Sequence, residues 1–195
     1  MVCQPAVSRA NWLSLRHDNC ALFGTPMLPP NITLRFATLA DAGEIAVMSR
    51  ELIETGLDWA WTSARVSRNI ASTSTVALAA CDAGRLVGFA IMYFGDDHAH
   101  LNLLAVRRPW QRVGIGRHLV AWLEESGLVA GIGTIRLELR ASNRGARRFY
   151  ERLGFQEVAR VPEYYGGVET AVRMARDIRR GVAGPLPNIR ELLRR

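Results

Sequence analysis

Lysine is missing from this 195-residue chain, so its 25 basic side chains are all arginine and, against 18 acidic ones, leave a formal net charge of +7. Without lysine there can be no P-loop, which needs Gly-Lys-Ser or Gly-Lys-Thr after its glycines. An arginine-only basic set also points to a GC-rich coding sequence and hence to a bacterial source. Cysteine is scarce: Cys3, Cys20 and Cys81 form neither a metal-spaced pair nor an even disulfide set, which fits a reducing cytosol and gives no metal site. Long apolar runs are lacking too. The longest, Leu86 to Phe94, cannot span a bilayer, and residues 1–30 lack the basic start and unbroken apolar core of a signal peptide. A cytoplasmic protein without a membrane partner is expected.

The positive balance suits an anionic ligand. Arginines gather at 144–152, 173–180 and 190–195; aromatics fall only in the first cluster, as Phe149-Tyr150, and no RNA-binding motif accompanies them. They read as solvated faces and a basic tail, and nucleic acid is not the expected partner.

Three stretches differ in composition. Residues 1–30 hold Pro5, Pro26, Pro29 and Pro30 without sustained periodicity and read as an extension, with Met27 an alternative start. Residues 31–178 carry the regular pattern of one domain, and 179–195 form a basic tail with Pro185 and Pro187. Within the domain Ile32, Leu34 and Phe36 alternate as a strand, and Thr38 is placed to cap a helix whose Ile45, Met48, Leu52 and Ile53 share a side. A short helix at 63–70 follows. Strands at 75–81 and 85–94 are joined by Asp82-Ala83-Gly84, and a third covers 98–106. A helix at 115–126, a strand at 134–140, a helix at 143–153 and strands at 155–160 and 170–175 complete the chain. The order predicts an α/β (α+β) layered fold: a mixed, mostly antiparallel sheet of about seven strands, with one parallel pair, flanked by about four helices.

The stretch Gln111-Arg112-Val113-Gly114-Ile115-Gly116 stands between the strand ending at Val106 and an amphipathic helix. Glycines there let the backbone approach a ligand, and the helix start offers unpaired N–H groups and a positive dipole end, which suits a pyrophosphate. The dinucleotide fingerprint is excluded because its third glycine position is Leu119. Packing alone can also demand such a turn.

With that loop in place, the chain resembles the GNAT superfamily of acetyl-CoA-dependent N-acetyltransferases. Gln111, Gly114 and Gly116 match its pyrophosphate motif, and Ala141-Ser142-Asn143 with Arg148-Phe149-Tyr150-Glu151-Arg152-Leu153-Gly154-Phe155 matches its next helix segment. The resemblance covers residues 31–178 and agrees in element order. It implies acetyl-CoA as cosubstrate and a primary amine as acceptor. It further implies that Gln111, Arg112, Val113, Gly114, Ile115, Gly116 and Arg117 bind the pyrophosphate and that the edge at Leu104, Ala105 and Val106 pairs with the pantetheine. Asn143 would bond the pantetheine arm, although its position also suits an N-cap. Tyr150 would be the general acid, protonating the thiolate as it leaves.

Two residues compete for the general base. Glu138 lies on the strand face opposite Ile135, Leu137 and Leu139, beside Arg136 and Arg140, with which it can instead form an ion pair. The run Leu137 to Asn143, with Tyr150 twelve residues after the glutamate, is similar to the bacterial ribosomal-protein alanine N-acetyltransferases, in which that glutamate is the base. Tyr164-Tyr165 resembles that group's acceptor-loop tyrosine pair. The arginine expected two or three residues before the pair stands here at Arg160, with Val161 and Pro162 next. The rival is His100, whose strand position carries the catalytic glutamate in histone-acetylating relatives. Trp59 and Trp61, near Glu51 and Glu54, fall in the region that walls the acceptor in this superfamily. The acceptor is thus a peptide N-terminus or a small amine, a homodimer is left open, and the rival of another class is a CoA-binding or ribosome-binding module without catalysis.

Overall fold

The computed structural model describes residues 28–179. Seven strands form one sheet in the order β1-β2-β3-β4-β5-β7-β6. They are β1 (Ile32–Phe36), β2 (Thr75–Asp82), β3 (Arg85–Phe94), β4 (Ala99–Val106), β5 (Thr134–Arg140), β6 (Gln156–Tyr165) and β7 (Glu169–Asp177). The helices are α1 (Ala42–Leu52), α2 (Ser63–Ala71), α3 (Ile115–Val129) and α4 (Arg144–Arg152). All neighbouring strands are antiparallel except β4 and β5, which are parallel. Among the described residues no helix is long and apolar enough to cross a membrane.

Each face of the sheet has its own core, as the strand alternation requires. On one face Leu78, Ala80, Leu137 and Val172 pack with Leu119 and Leu123 of α3. On the other, Ala77, Ala79 and Phe89 pack with Ile45 and Met48 of α1 and with Val66 and Ile70 of α2. The central β2 and β3 are covered on both sides and therefore read as nearly unbroken apolar runs.

The feature that positions the site is a bulge in β4. Met92 pairs with Leu101 and Ile91 with Leu103, so Asn102 is the extra residue. Before it, Ala99 and Leu101 face the α3 side; after it, Leu103 and Ala105 face the α1 side. The same bend turns β4 away from its parallel neighbour. Pairing between β4 and β5 is confined to Ala99↔Ile135 and His100↔Arg136, and from Leu101 onward the β4 edge faces a gap rather than a strand.

Several boundaries differ from expectation for identifiable reasons. Thr38 opens a single 3-10 turn, Leu39–Asp41, and α1 begins only at Ala42; the Thr38 N–H and hydroxyl both donate to Asp41, whose carboxylate also pairs with Arg35 at 2.7 Å. Strand β6 runs on to Tyr165 through Pro162, which interrupts nothing because β6 is an edge strand and its register breaks between Val161 and Tyr165. Leu28 packs on the core, so the domain starts slightly before residue 31. The expectations for residues 1–27 and 180–195 fall outside the described residues.

Candidate active site

The gap between β4 and β5 opens into a cavity of about 910 Å³. Its floor is made by Leu101 to Leu104 of β4 and Leu137 to Arg140 of β5; Asn143, Ala146 and Tyr150 close one side, the α1–α2 loop another, and Tyr164 and Tyr165 a third. A strand edge without a strand partner presents N–H and C=O groups that an extended, amide-bearing ligand can pair with.

Two residues expected to compete as base are in direct contact. His100 Nε2 lies 2.8 Å from Glu138 Oε2, and Arg173 Nε donates to Glu138 Oε1 at 3.2 Å. Arg173 is the register partner of Glu138 across β5 and β7, which explains why it, rather than Arg136 or Arg140, takes the carboxylate. Burial alone would raise the Glu138 pKa; the His100 hydrogen bond and the charges of His100 and Arg173 outweigh it and hold the carboxyl below the usual carboxylate range. A carboxylate only accepts, so Nε2 carries the hydrogen in this pair. Glu138 lines the cavity and His100 stands behind it.

Tyr150 is 7% exposed, wedged edge-on between the Phe149 and Phe155 rings with its flank on the cavity. Burial pushes its phenol well above the ordinary value. Asn143 is the N-cap of α4: its side-chain oxygen accepts from Ala146 N–H at 3.0 Å, which leaves the amide N–H donors for a ligand. The cap and pantetheine readings are therefore compatible.

The loop at 111–117 is built as its sequence suggests, but its glycines do different jobs. Gly114 sits at φ 96°, a left-handed conformation that opens α3. Gly116 is favoured by close packing: a Cβ there would lie 3.3 Å from Phe149 Cζ, a tight contact, and 3.9 Å from Leu104 Cδ2. Gln111 anchors the turn by donating from Nε2 to Val106 O at 2.8 Å. Arg112 and Val113 are exposed, Ile115 is buried and Arg117 is half-buried. The loop does not line the cavity, but Leu104 does, and it also touches the Gly116 turn, so the two regions are contiguous.

The aromatic residues separate. Trp61 lines the cavity with Arg65 stacked 4.3 Å from its ring centroid, whereas Trp59 is outside it, 40% exposed beneath Arg50. Tyr164 and Tyr165 meet edge to face at 5.0 Å. Burial, with Glu138 nearby, pushes the Tyr165 phenol up to about 12. The guanidinium beside this pair belongs to Arg173, 5.9 Å from the Tyr164 ring; Arg160 is instead taken by Glu157 at 2.7 Å.

Two further residues escaped sequence reasoning. Glu54, expected only as negative charge near the tryptophans, is 7% exposed and accepts from the Ser49 hydroxyl and from the Ala60 and Trp61 N–H groups. It organises the α1–α2 loop, while Glu51 reaches Arg107 at 3.8 Å. Arg140 binds Thr55 O at 2.9 Å and Glu169 at 3.0 Å, and Ser142 also donates to Glu169, so one guanidinium ties the α1–α2 loop to β5 and β7. No local motif marks either residue: the partners of Arg140 are distant in sequence, and those of Glu54 are near in the chain but meet it only in the folded α1–α2 loop. Among the described residues no cluster of three or more His, Cys, Asp or Glu is arranged to hold a metal.

The comparisons with known proteins agree with this fold. A ribosomal-protein bS18-alanine N-acetyltransferase of Escherichia coli K12 is 40% identical over 95 residues, 47% of this chain and 64% of its own length. An uncharacterised N-acetyltransferase of Methanocaldococcus jannaschii is 36% identical over 104 residues, 53% of this chain and 66% of its own. The chain thus spans just under two thirds of these relatives. Solved structures match more fully: Ard1 of Thermoplasma volcanium, with a TM-score of 0.67 and 26% identity, covers 75% of this chain and 97% of its own. The E. coli ribosomal-protein-S18-alanine N-acetyltransferase, with a TM-score of 0.62 and 31% identity, covers 78% and 96%. The profile of the acetyltransferase (GNAT) family matches residues 46–155, which contain the split β4 edge, the Gly114 turn, Glu138 and Tyr150, and the chain belongs to that family.

Proposed function

We propose that this protein is an acetyl-CoA-dependent N-acetyltransferase whose acceptor is a primary amine at the N-terminus of a peptide or protein. The observation that carries the reading is that Glu138 and Tyr150 line one cavity, together with the β4 edge from Leu101 to Leu104. A proton acceptor, a proton donor and a strand edge for an amide-bearing cosubstrate are what amine acetylation by direct attack needs.

The residues divide the work as follows. The Gly114 turn and the first amides of α3 hold the pyrophosphate, and the β4 edge and the Asn143 amide hold the pantetheine. Glu138, ionised at neutral pH, receives the proton that the amine nitrogen sheds as it bonds to the acetyl carbon. His100 and Arg173 fix the direction of that carboxylate. As the carbon–sulfur bond breaks, the sulfur takes the Tyr150 proton; burial keeps the phenol protonated across the neutral range, so the donor form is the one present. One proton is accepted and one given in each transfer.

The peptide acceptor rests on two supports: the Tyr164–Tyr165 pair at the cavity, and 40% identity to an enzyme named for the alanine of a ribosomal protein. Incubation with acetyl-CoA and a panel of peptides and small amines, read by thiol release and mass spectrometry, tests it. Acetylated peptide N-termini are expected. Acetylation of small amines with no peptide product would refute the peptide assignment, and Tyr150→Phe without effect on turnover would refute the catalytic one.

A further inference from the structure

The turn that opens α3 is strained, and a carboxylate on the β2–β3 hairpin helps to hold it. Between Gln111 and the buried Ile115, two residues are left-handed: Arg112 at φ 70° and Gly114 at φ 96°. Glycine adopts that conformation freely, whereas arginine does so against its own Cβ and keeps it only where the surroundings over-determine the backbone. Part of the restraint is main-chain and local. Arg107 N–H donates to Val87 O at 2.8 Å, a 3-10 turn follows at Arg108–Trp110, and the Gln111 side chain donates back to Val106 O.

The other part comes from Trp110, two residues before Arg112. Its indole Nε1–H donates to Asp82 Oδ2 at 2.7 Å, and the Arg85 guanidinium lies over its ring, 5.4 Å from the centroid. Asp82 is a firm anchor. It ends β2 and pairs with Arg85 across Ala83 and Gly84, both at positive φ, so the hairpin fixes its backbone. Its second oxygen, Oδ1, accepts from Asn31 Nδ2 at 2.7 Å, which sets the plane of the carboxylate. The hydrogen bonds from Trp110 and then Asn31 hold the carboxyl below the usual carboxylate range, so both oxygens act as acceptors at neutral pH.

We infer that Asp82 is a positioning residue for acetyl-CoA: through Trp110 it holds residues 112–114 in the conformation whose amides meet the pyrophosphate. This inference rests on the acetyltransferase reading above and adds to it a residue that does not line the cavity. A turn already held in its binding conformation loses less freedom when the ligand arrives, so the effect falls on acetyl-CoA affinity and not on the chemical step.

The test combines calorimetry with acetyl-CoA, steady-state kinetics at saturating acceptor, and Tm. Asp82→Ala removes the acceptor, and Trp110→Phe removes the indole N–H while keeping a ring beneath Arg85. Each is expected to weaken acetyl-CoA binding, and to raise KM for acetyl-CoA, by about three- to tenfold with kcat unchanged. The double variant should bind no worse than the weaker single one, because both changes break the same contact. Asp82→Asn keeps an oxygen for Trp110 and should retain most of the affinity. Asn31→Ala breaks the other bond to the carboxylate and should leave acetyl-CoA binding unchanged. Wild-type affinity in Trp110→Phe, losses that multiply in the double variant, or an equal loss in Asn31→Ala would overturn the inference, the last by showing that any loosening of the hairpin suffices. A wild-type protein that binds no acetyl-CoA would instead sink the acetyltransferase reading on which it stands.

Discussion

Replacing His100 by glutamine and by alanine should give different answers, because its imidazole reaches the cavity only through Glu138. The Nε2–Oε2 contact is 2.8 Å long and its side chains are 28% and 18% exposed, so the hydrogen bond is partly screened. A hydrogen bond to a charged group is worth about 1.5–3 kcal/mol, and partial exposure favours the lower end. If all of it is expressed in the transition state, His100→Ala lowers kcat by about tenfold to a hundredfold. His100→Gln keeps an N–H donor for the carboxylate and should lose about fivefold or less. Glu138→Gln removes the acceptor of the amine proton and should lose about 10²–10⁴-fold. Adding His100→Ala to Glu138→Gln should cost little more, since a positioning residue has nothing left to position. The assay is thiol release at saturating acetyl-CoA, with acceptor varied across pH, and KM for acetyl-CoA should stay constant throughout. If His100→Gln is as damaging as Glu138→Gln, or if the two losses multiply, the imidazole itself carries the proton and the division of roles is wrong.

Two further outcomes follow from the geometry around the site. Gly114→Ala isolates the cost of φ 96° in α3's first turn, about 1–2 kcal/mol or a fall of several degrees in Tm, whereas Gly114→Glu adds bulk and negative charge and should abolish acetyl-CoA binding by calorimetry at a similar Tm. Binding retained in the glutamate variant would remove the pyrophosphate from this turn. Asp41, drawn down to about 2 by its Arg35 hydrogen bond against burial and with help from Thr38, adds stability that is complete above its ordinary 3.8 and disappears as pH falls through about 2. Asp41→Asn should therefore cost about 1 kcal/mol at neutral pH, discounted because Arg35 is partly solvated, and little at pH 2, as measured by denaturant unfolding.

What the sequence made legible was periodic or local. Ile32, Leu34 and Phe36 alternate because one side of an edge strand is buried, and the Gln111 to Gly116 stretch is recognisable because a strand, a turn and a helix start succeed each other. What stayed hidden depends on pairing. The Asn102 bulge has no signature within β4, yet it separates β4 from β5 and makes the cavity. The contact between His100 and Glu138 joins residues on two strands, and the resemblance offered them as rivals for one role without placing them in contact. The strand expected at 155–160 runs on through Pro162 to Tyr165, which only an edge strand tolerates, and the edge position of β6 depends on the whole sheet order. Glu54 was legible only as negative charge near the tryptophans, and only the folded loop shows that it is buried against Ser49, Ala60 and Trp61.

The central claim is that Glu138 and Tyr150 flank the atoms that react, and Tyr150→Phe tests it most directly. The change keeps the ring between Phe149 and Phe155 and deletes only the proton donor. Acetyl-CoA affinity by calorimetry should stay within about twofold while kcat for peptide acetylation falls by about 10²–10⁴. Unchanged turnover with intact binding would contradict the account.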